Sequence, residues 1–297
     1  MTQPLQFEHW MQQVQAQMEI ALDGYLPDAT AVPARLHAAM RYATLDGGKR
    51  VRPLLVHAAG ALFDAPATTL ARAGAAVEMI HAYSLVHDDM PCMDDDALRR
   101  GKPTVHVAYD EATALLVGDA LQAQAFIVLA GGDAAPATRL DMLALLAQAS
   151  GSLGMCGGQA IDLGSVGLQL DIEQLEHMHR LKTGALLRAA VLLGAMAGKT
   201  LTEEETRALD AYARAIGLAF QVVDDVLDAT ADSATLGKTA GKDAADNKPT
   251  YVSLLGLDAS RTLAQRLCQD AHRAVQPFGD KAQRLRELAD LIVKRKT

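Results

Sequence analysis

Aromatic residues are scarce in this chain, 4% of its 297 positions, and long runs of β-branched residues are missing. Alanine and leucine are abundant instead, which favours helix over sheet. Cysteine is nearly absent. Cys92, Cys156 and Cys268 stand at spacings that match neither a metal-ligand set nor a disulfide framework, which suits a reducing cytoplasm. Excess positive charge is missing too, and a net charge of −8 argues against general nucleic-acid binding. From Met1 to Trp10 the chain is polar and carries no apolar signal core. No apolar stretch is long enough to span a bilayer without interruption. What is present is a composition 50% hydrophobic, enough for a large core in one domain or two.

The pattern predicts about ten to twelve helices, over 5–23, 33–45, 50–62, 69–90, 105–130, 137–155, 171–181, 183–197, 203–229, 249–256, 258–276 and 281–293. Thr202-Glu203-Glu204-Glu205 reads as a capping box with an acidic first turn. Pro33 and Pro53 suit first-turn positions. Breaks fall at Gly47-Gly48, Asp64-Ala65-Pro66, Gly101-Lys102-Pro103, Gly131-Gly132, Gly157-Gly158, Gly164 to Gly167, and 231–248. The last is polar, contains Gly237-Lys238 and Lys242, and exceeds ordinary connections, which marks it as functional or mobile. No linker or composition shift interrupts the chain. The expectation is a single all-α domain over residues 1–297.

Two aspartate clusters end two of these helices. The first is Asp88-Asp89-Met90-Pro91-Cys92-Met93-Asp94, and the second is Asp224-Asp225-Val226-Leu227-Asp228. The helices that carry them, 69–90 and 203–229, are apolar nearly all round until those ends, which predicts central positions in a bundle. Asp224 and Asp228 lie one turn apart on one face. Packed carboxylates repel, and a helix C-terminus adds further negative charge, so cations are required. A hard divalent ion with oxygen ligands is the natural neutraliser, and Mg²⁺ at a phosphate site takes only one or two carboxylates plus substrate oxygens. Asp88 and Asp94 would be about 120° apart on a regular helix. Pro91 breaks that regularity, so the chain is expected to leave the helix near 90–93 and return Asp94 towards Asp88.

Basic residues accompany the acids. Gly47-Gly48-Lys49-Arg50-Val51-Arg52-Pro53 is a glycine turn, a basic group and a helix start, the elements of a phosphate cradle. Taken alone it is a weak signal that reads more readily as a solvated basic turn, and it lacks the spacing of a nucleotide P-loop. Arg99-Arg100 alone would be ordinary surface. Lys182-Thr183-Gly184 interrupts an apolar helix, where a lysine is less comfortable. His81, Tyr83 and Ser84 precede Asp88 on the same helix and read as packing residues when taken singly. Gln221, three positions before Asp224, needs partners if buried. Lys238, Lys242 and Lys248 read singly as loop charges, and the methionines as core filler.

Together these segments resemble the trans-isoprenyl diphosphate synthases, most closely the short-chain bacterial members that make farnesyl diphosphate. The resemblance runs from about residue 40 to 255 and adds Gly157-Gly158-Gln159, Gly237-Lys238 and Lys248-Pro249-Thr250-Tyr251 to the motifs above. It implies an all-α isoprenoid synthase fold around a deep central cavity, a homodimer, and no nucleic-acid partner. It implies that Asp88, Asp94 and Asp224 ligate three Mg²⁺ ions (or Mn²⁺) on the allylic diphosphate, with Asp89, Asp225 and Asp228 ligating or supporting. Arg99, Lys182 and Lys238 would contact that diphosphate, and Lys248 would act near it. Lys49, Arg52, His81 and Arg100 would hold isopentenyl diphosphate. Thr183 and Gln221 would line the reacting carbocation. Tyr83, five positions before the first Asp, and Ser84 would set product length.

The implied reaction condenses isopentenyl diphosphate with dimethylallyl, then geranyl, diphosphate to give farnesyl diphosphate by ionisation, condensation and elimination. The residues fit it, since metals and cations help a diphosphate leave and no triad-like nucleophile is present. A longer-chain, geranylgeranyl-making synthase is the alternative. Glu78-Met-Ile-His81 and Glu176-His-Met-His179 are also the paired pattern of di-iron carboxylate oxidases, but that site leaves the aspartate clusters unexplained. His87-Asp88 resembles metal phosphohydrolases. A non-catalytic prenyltransferase subunit should have lost site residues, and this chain has kept them.

Overall fold

The structure is a computed structural model describing residues 6–230 and 249–295. Its helices are α1 (Phe7–Tyr25), α2 (Ala34–Thr44), α3 (Val51–Gly60), α4 (Ala67–Asp88), α5 (Val105–Ala108), α6 (Glu111–Ala130), α7 (Pro136–Ser150), α8 (Met155–Gly164) and α9 (Ile172–His179). After a π-helical turn, Arg180–Gly184, come α10 (Ala185–Met196), α11 (Glu203–Thr230), α12 (Tyr251–Leu255), α13 (Leu257–Ala274) and α14 (Gln283–Lys294). Among the described residues the only strands are β1 (Leu98–Arg99) and β2 (Lys102–Pro103), an antiparallel pair. The fold is all-α, as expected.

The chain divides into two compact units, Met1–Ala144 with Leu193–Lys199, and Leu145–Leu192 with Thr200–Thr297. Two of the divisions fall inside α7 and α10 and the third in the short connection before α11, so no linker marks them in the sequence.

In the first unit α4 is buried along nearly its whole length and packs on α3 and α6. Close approach needs small residues. A Cβ on Gly118 of α6 would lie 1.9 Å from His87 Nε2 on α4, and that ring nitrogen sits 3.1 Å from the Leu115 carbonyl. The predicted 105–130 helix is split. Tyr109 leaves helical geometry and Asp110 caps α6, accepting from the Thr113 amide. By length and composition α6 could cross a membrane, although Asp119 interrupts its apolar run. In this fold it packs on α4.

In the second unit α11 packs on α13, and Tyr212 Oη donates to the Leu285 carbonyl at 2.6 Å, tying α11 to α14. The predicted capping box at Thr202 forms with both reciprocal bonds, to and from Glu205. α11 is not apolar all round: Ala211 and Arg214 face solvent while Tyr212, Ile216 and Val223 are buried. Its N-terminal half is two-faced, as charged Glu203–Glu205 and Arg207 require. The predicted break at Gly157-Gly158 lies inside α8 instead. A Cβ on Gly158 would fall 2.1 Å from the Lys182 amide nitrogen, so these glycines serve a helix contact rather than a turn.

Candidate active site

α4 ends at Asp88 and Asp89 is its C-cap, so the helix stops sooner than the sequence pattern suggested. Met93 folds back on the Met90 carbonyl. The Asp94 amide then donates to the Asp88 carbonyl at 2.9 Å, and Asp96 to Asp89 at 3.2 Å. The chain thus returns Asp94 to the helix end, by the backbone reversal expected around Pro91. Asp88 and Asp94 are half-buried and Asp89 is buried. Arg99, from β1, donates Nε to both Asp89 oxygens at 2.7 and 2.8 Å, and its Nη2 lies 3.8 Å from Asp96. Burial holds the Asp89 carboxyl above its ordinary range, and the Arg99 contact opposes this.

Behind this motif lies a cavity of about 310 Å³, lined among others by Gly47, Gly48, Asp89, Arg99, Arg100 and Lys102. Gly48 has φ +90°, and a Cβ there would stand 2.7 Å from the Arg100 guanidinium, so glycine lets that guanidinium lie flat on the turn. Of the basic group 49–52, Arg50 is structural. It is buried, bonds Glu78 at 2.8 Å, bonds Glu19 through Nε and Nη2, and donates to the Thr44 carbonyl. Lys49 is exposed and Arg52 half-buried. His81 is held well below its ordinary pKa, first by burial and then by the charges of Arg52, Arg100, Arg99 and Arg50. It is therefore neutral at pH 7, in a field of arginines that an anion would relieve. Tyr83 is buried and meets the His87 ring edge-on at 5.8 Å. Ser84 Oγ donates to the His81 carbonyl at 2.8 Å.

In the second unit the π-helical turn presents Lys182-Thr183-Gly184. Such bulges occur often at functional sites because they re-aim side chains. Lys182 Nζ lies 2.6 Å from Asp162. Thr183 Oγ1 donates to Gln221 Oε1 at 3.4 Å, and Gln221 Nε2 donates to Asp225 at 3.1 Å. The other Asp225 oxygen accepts from the Tyr251 amide at 2.7 Å. Asp225 is thus buried and accepts from two neutral donors among the described residues, and Asp228 is buried beside it on α11. Asp224 is half-exposed and accepts from Arg295 Nη2 at 2.7 Å. Arg295 also stacks on Phe220 at 3.7 Å and donates to the Phe220 carbonyl. The sequence reading missed Arg295, since nothing near residue 295 carries a motif. It missed the His179–Tyr251 stack too, with centroids 5.8 Å apart. His179 is buried with neither ring nitrogen bonded among the described residues, and burial lowers its pKa to about 4.

Lys238 and Lys248 lie outside the described residues. A larger cavity of about 490 Å³ in this unit is lined by Leu181, Arg188 and Leu218 among others, and no residue of the aspartate motif lines it. The glutamates of the di-iron pattern are engaged elsewhere, Glu78 by Arg50 and Glu176 by Arg180 at 2.7 Å.

The family model described as polyprenyl synthetase matches residues 33–287. The chain is 52% identical over 284 residues to a probable farnesyl diphosphate synthase of Sinorhizobium fredii, covering 95% of this chain and 86% of that protein. Its fold is similar to the crystal structure of an FPP/GFPP synthase from Zymomonas mobilis, with TM-score 0.88, 44% identity, and coverage of 97% of this chain and 98% of that one. It is also similar to a geranyltransferase from Helicobacter pylori complexed with magnesium and isoprenyl diphosphate, with TM-score 0.85, 32% identity and 98% of each chain covered.

Proposed function

The chain belongs to the polyprenyl synthetase family and is a prenyltransferase, and from that premise we propose that it joins isopentenyl diphosphate head to tail with dimethylallyl and then geranyl diphosphate, releasing farnesyl diphosphate and diphosphate. The observation that carries this reading is at the end of α4: the reversal that returns Asp94 to Asp88 stands beside a cavity lined by Asp89, Arg99, Arg100 and Lys102. A place for cations thus adjoins a place for an anion. The matched family region runs continuously over residues 33–287, which supports reading residues 1–297 as one catalytic domain.

The donor set of both motifs is carboxylate oxygen throughout, which fits a hard divalent ion. Asp88, Asp94 and Asp224 would hold three Mg²⁺ on the allylic diphosphate, with Asp89, Asp225 and Asp228 ligating or supporting; Mn²⁺ is the alternative ion. Bound there, Mg²⁺ would neutralise the diphosphate leaving group as the allylic C–O bond ionises. Arg99, Lys182 and Lys238 bind that diphosphate, and Lys248 acts near it. Lys49, Arg52, His81 and Arg100 orient isopentenyl diphosphate, whose double bond attacks the allylic cation. Thr183 and Gln221 line that cation with oxygen dipoles. The departing diphosphate takes the proton, so no side-chain base is needed.

A homodimer that covers them is supported by the exposed apolar side chains of α6, where Leu115 is 49%, Leu116 53% and Ile127 62% exposed. The cysteines are unpaired, in keeping with a cytoplasmic setting.

Chromatography of products from dimethylallyl and isopentenyl diphosphates with Mg²⁺ tests the reading. A C15 product that vanishes with chelator is expected, and a predominant C20 product would favour the longer-chain alternative. Tyr83 and Ser84 set the length, because each added isoprene unit needs empty apolar space in a close-packed interior. Tyr83→Ala should lengthen the product and Ser84→Phe shorten it to C10. An unchanged product in both variants would remove this assignment.

A further inference from the structure

Outside the aspartate motifs, α13 and α14 bring together three side chains of different metal-binding chemistry. Cys268 and His272 lie one turn apart on α13, and Asp290 faces them from α14. Asp290 Oδ1 is 3.3 Å from Cys268 Sγ and 3.1 Å from His272 Nε2. One donor atom of each residue lies within 4.8 Å of the other two. We propose that Cys268, His272 and Asp290 form a second metal site, for a borderline-soft divalent cation such as Zn²⁺, which clamps α13 to α14.

The donor set argues for that class of ion. A thiolate, an imidazole and a carboxylate are the mixed sulfur, nitrogen and oxygen ligands that Zn²⁺ takes tetrahedrally, at roughly 2.0–2.3 Å each. Ligands on such a sphere stand roughly 3.3–3.5 Å from one another, close to the two separations that Asp290 Oδ1 makes here. Mg²⁺ prefers oxygen alone, so this site and the aspartate motifs select different ions. His272 Nε2 is buried without a hydrogen bond despite its short distance to the carboxylate. Its ring direction therefore misses the Asp290 oxygen, which leaves that nitrogen for another ligand. Asp290 Oδ2 is held separately by Lys294 at 3.5 Å, which leaves Oδ1 for the cluster. The Tyr212–Leu285 bond anchors α14 against α11 on the same side, so the three donors rest on helices rather than loops. A bound cation would take Cys268 as its thiolate and release a proton. Sequence spacing alone hid the site, because the third ligand is 18 positions from the second along the chain.

The test uses the full chain, stripped with chelator and held in excess Mg²⁺. Co²⁺ serves as a spectroscopic probe, and Zn²⁺ is measured against a chromophoric chelator. The expected result is one Zn²⁺ per chain, a rise in Tm, and tetrahedral Co²⁺ absorption with a thiolate charge-transfer band. Cys268→Ser should abolish that band, and His272→Gln should weaken Zn²⁺ binding by at least roughly tenfold, while Asp88→Ala should change neither. No tight Zn²⁺, or a thiolate band that survives Cys268→Ser through Cys92 or Cys156, would overturn the proposal. Because the readout is metal binding and not turnover, failure here leaves the prenyltransferase reading untouched.

Discussion

The aspartate pair at the end of α4 and the pair on α11 are built alike and held differently. In each, the second residue is buried and committed to structure, while the first is more open. At the end of α4 the committed residue, Asp89, is gripped by a cation, Arg99. On α11 the committed residue, Asp225, accepts, among the described residues, from neutral donors, the Tyr251 amide and the Gln221 side chain. There a cation, Arg295, sits on the open residue, Asp224. A buried carboxylate can be stabilised either way, by an ion pair or by several N–H donors. The choice decides what each open carboxylate must give up when a ligand arrives.

The largest effect should come from the open residues. Asp88→Ala and Asp224→Ala are each expected to lower turnover by about a thousandfold, on the order of 4 kcal/mol of lost stabilisation in the ionising step. Their stabilities should part. Asp88→Ala should leave Tm unchanged or raised, because carboxylate repulsion is relieved. Asp224→Ala should lower it, because Arg295, only 9% exposed, loses its partner. Steady-state rates and thermal melts of the metal-free proteins check both halves. Equal Tm shifts would erase the difference drawn above.

The histidines of the two units sharpen it next. His179 has a folded pKa of about 4 against an ordinary 6.5. The unfolded chain therefore binds a proton first, and stability is present above pH 6.5 and lost as pH falls towards 4. At 1.36 kcal/mol per unit the loss is about 3 kcal/mol. His57 on α3 is lowered to about 4 by burial and adds the same slope. His81 is also lowered, partly by arginines, so its slope has the same sign but a different cause. Replacing His179 or His81 by Gln should flatten the pH dependence of urea unfolding. Added inorganic diphosphate should shrink the His81 contribution and spare that of His179. Equal responses to diphosphate would mean the arginine field is not what depresses His81.

Smaller still is the cost of removing the committed carboxylates. Asp225→Ala strands a buried backbone amide and should cost about 1–3 kcal/mol. Asp89→Ala strands Arg99, whose side chain is 32% exposed and can rehydrate. It also removes a buried charge, so about 1 kcal/mol or less is expected. Denaturant melts that rank them in reverse would show the ion pair to be the stronger anchor.

Much of this was legible in the sequence, for identifiable reasons. The helices followed from apolar periodicity and caps such as Thr202. The reversal after Asp88 followed from Pro91. Residue roles that depend on distant partners were not legible. Within Lys49-Arg50-Val51-Arg52, nothing local says that Arg50 is spent on Glu19 and Glu78. Gly158 looked like a breaker because the Lys182 backbone it must admit lies 24 positions away. The split at Tyr109–Asp110 hid inside apolar sequence, and Arg295 carries no pattern at all.

Arg295 also gives the smallest and most direct test of the contrast between the motifs. Its Nη2 occupies an oxygen of Asp224, and on the proposed reading it would compete there with the metal ion. Arg99 holds Asp89, the committed residue, and blocks no comparable exchange at Asp88. A partly exposed pair of this kind is worth roughly 1 kcal/mol, or about fivefold in an equilibrium constant. Arg295→Ala should therefore lower the Mg²⁺ concentration at half-maximal activity by up to that factor. Arg99→Ala should not lower it, because Asp89 then loses its anchor and the helix end loosens around Asp88. Mg²⁺ titrations of initial rate separate the two variants. If both moved the midpoint the same way, the arginines would be interchangeable counter-ions, and their different placement would carry no functional meaning.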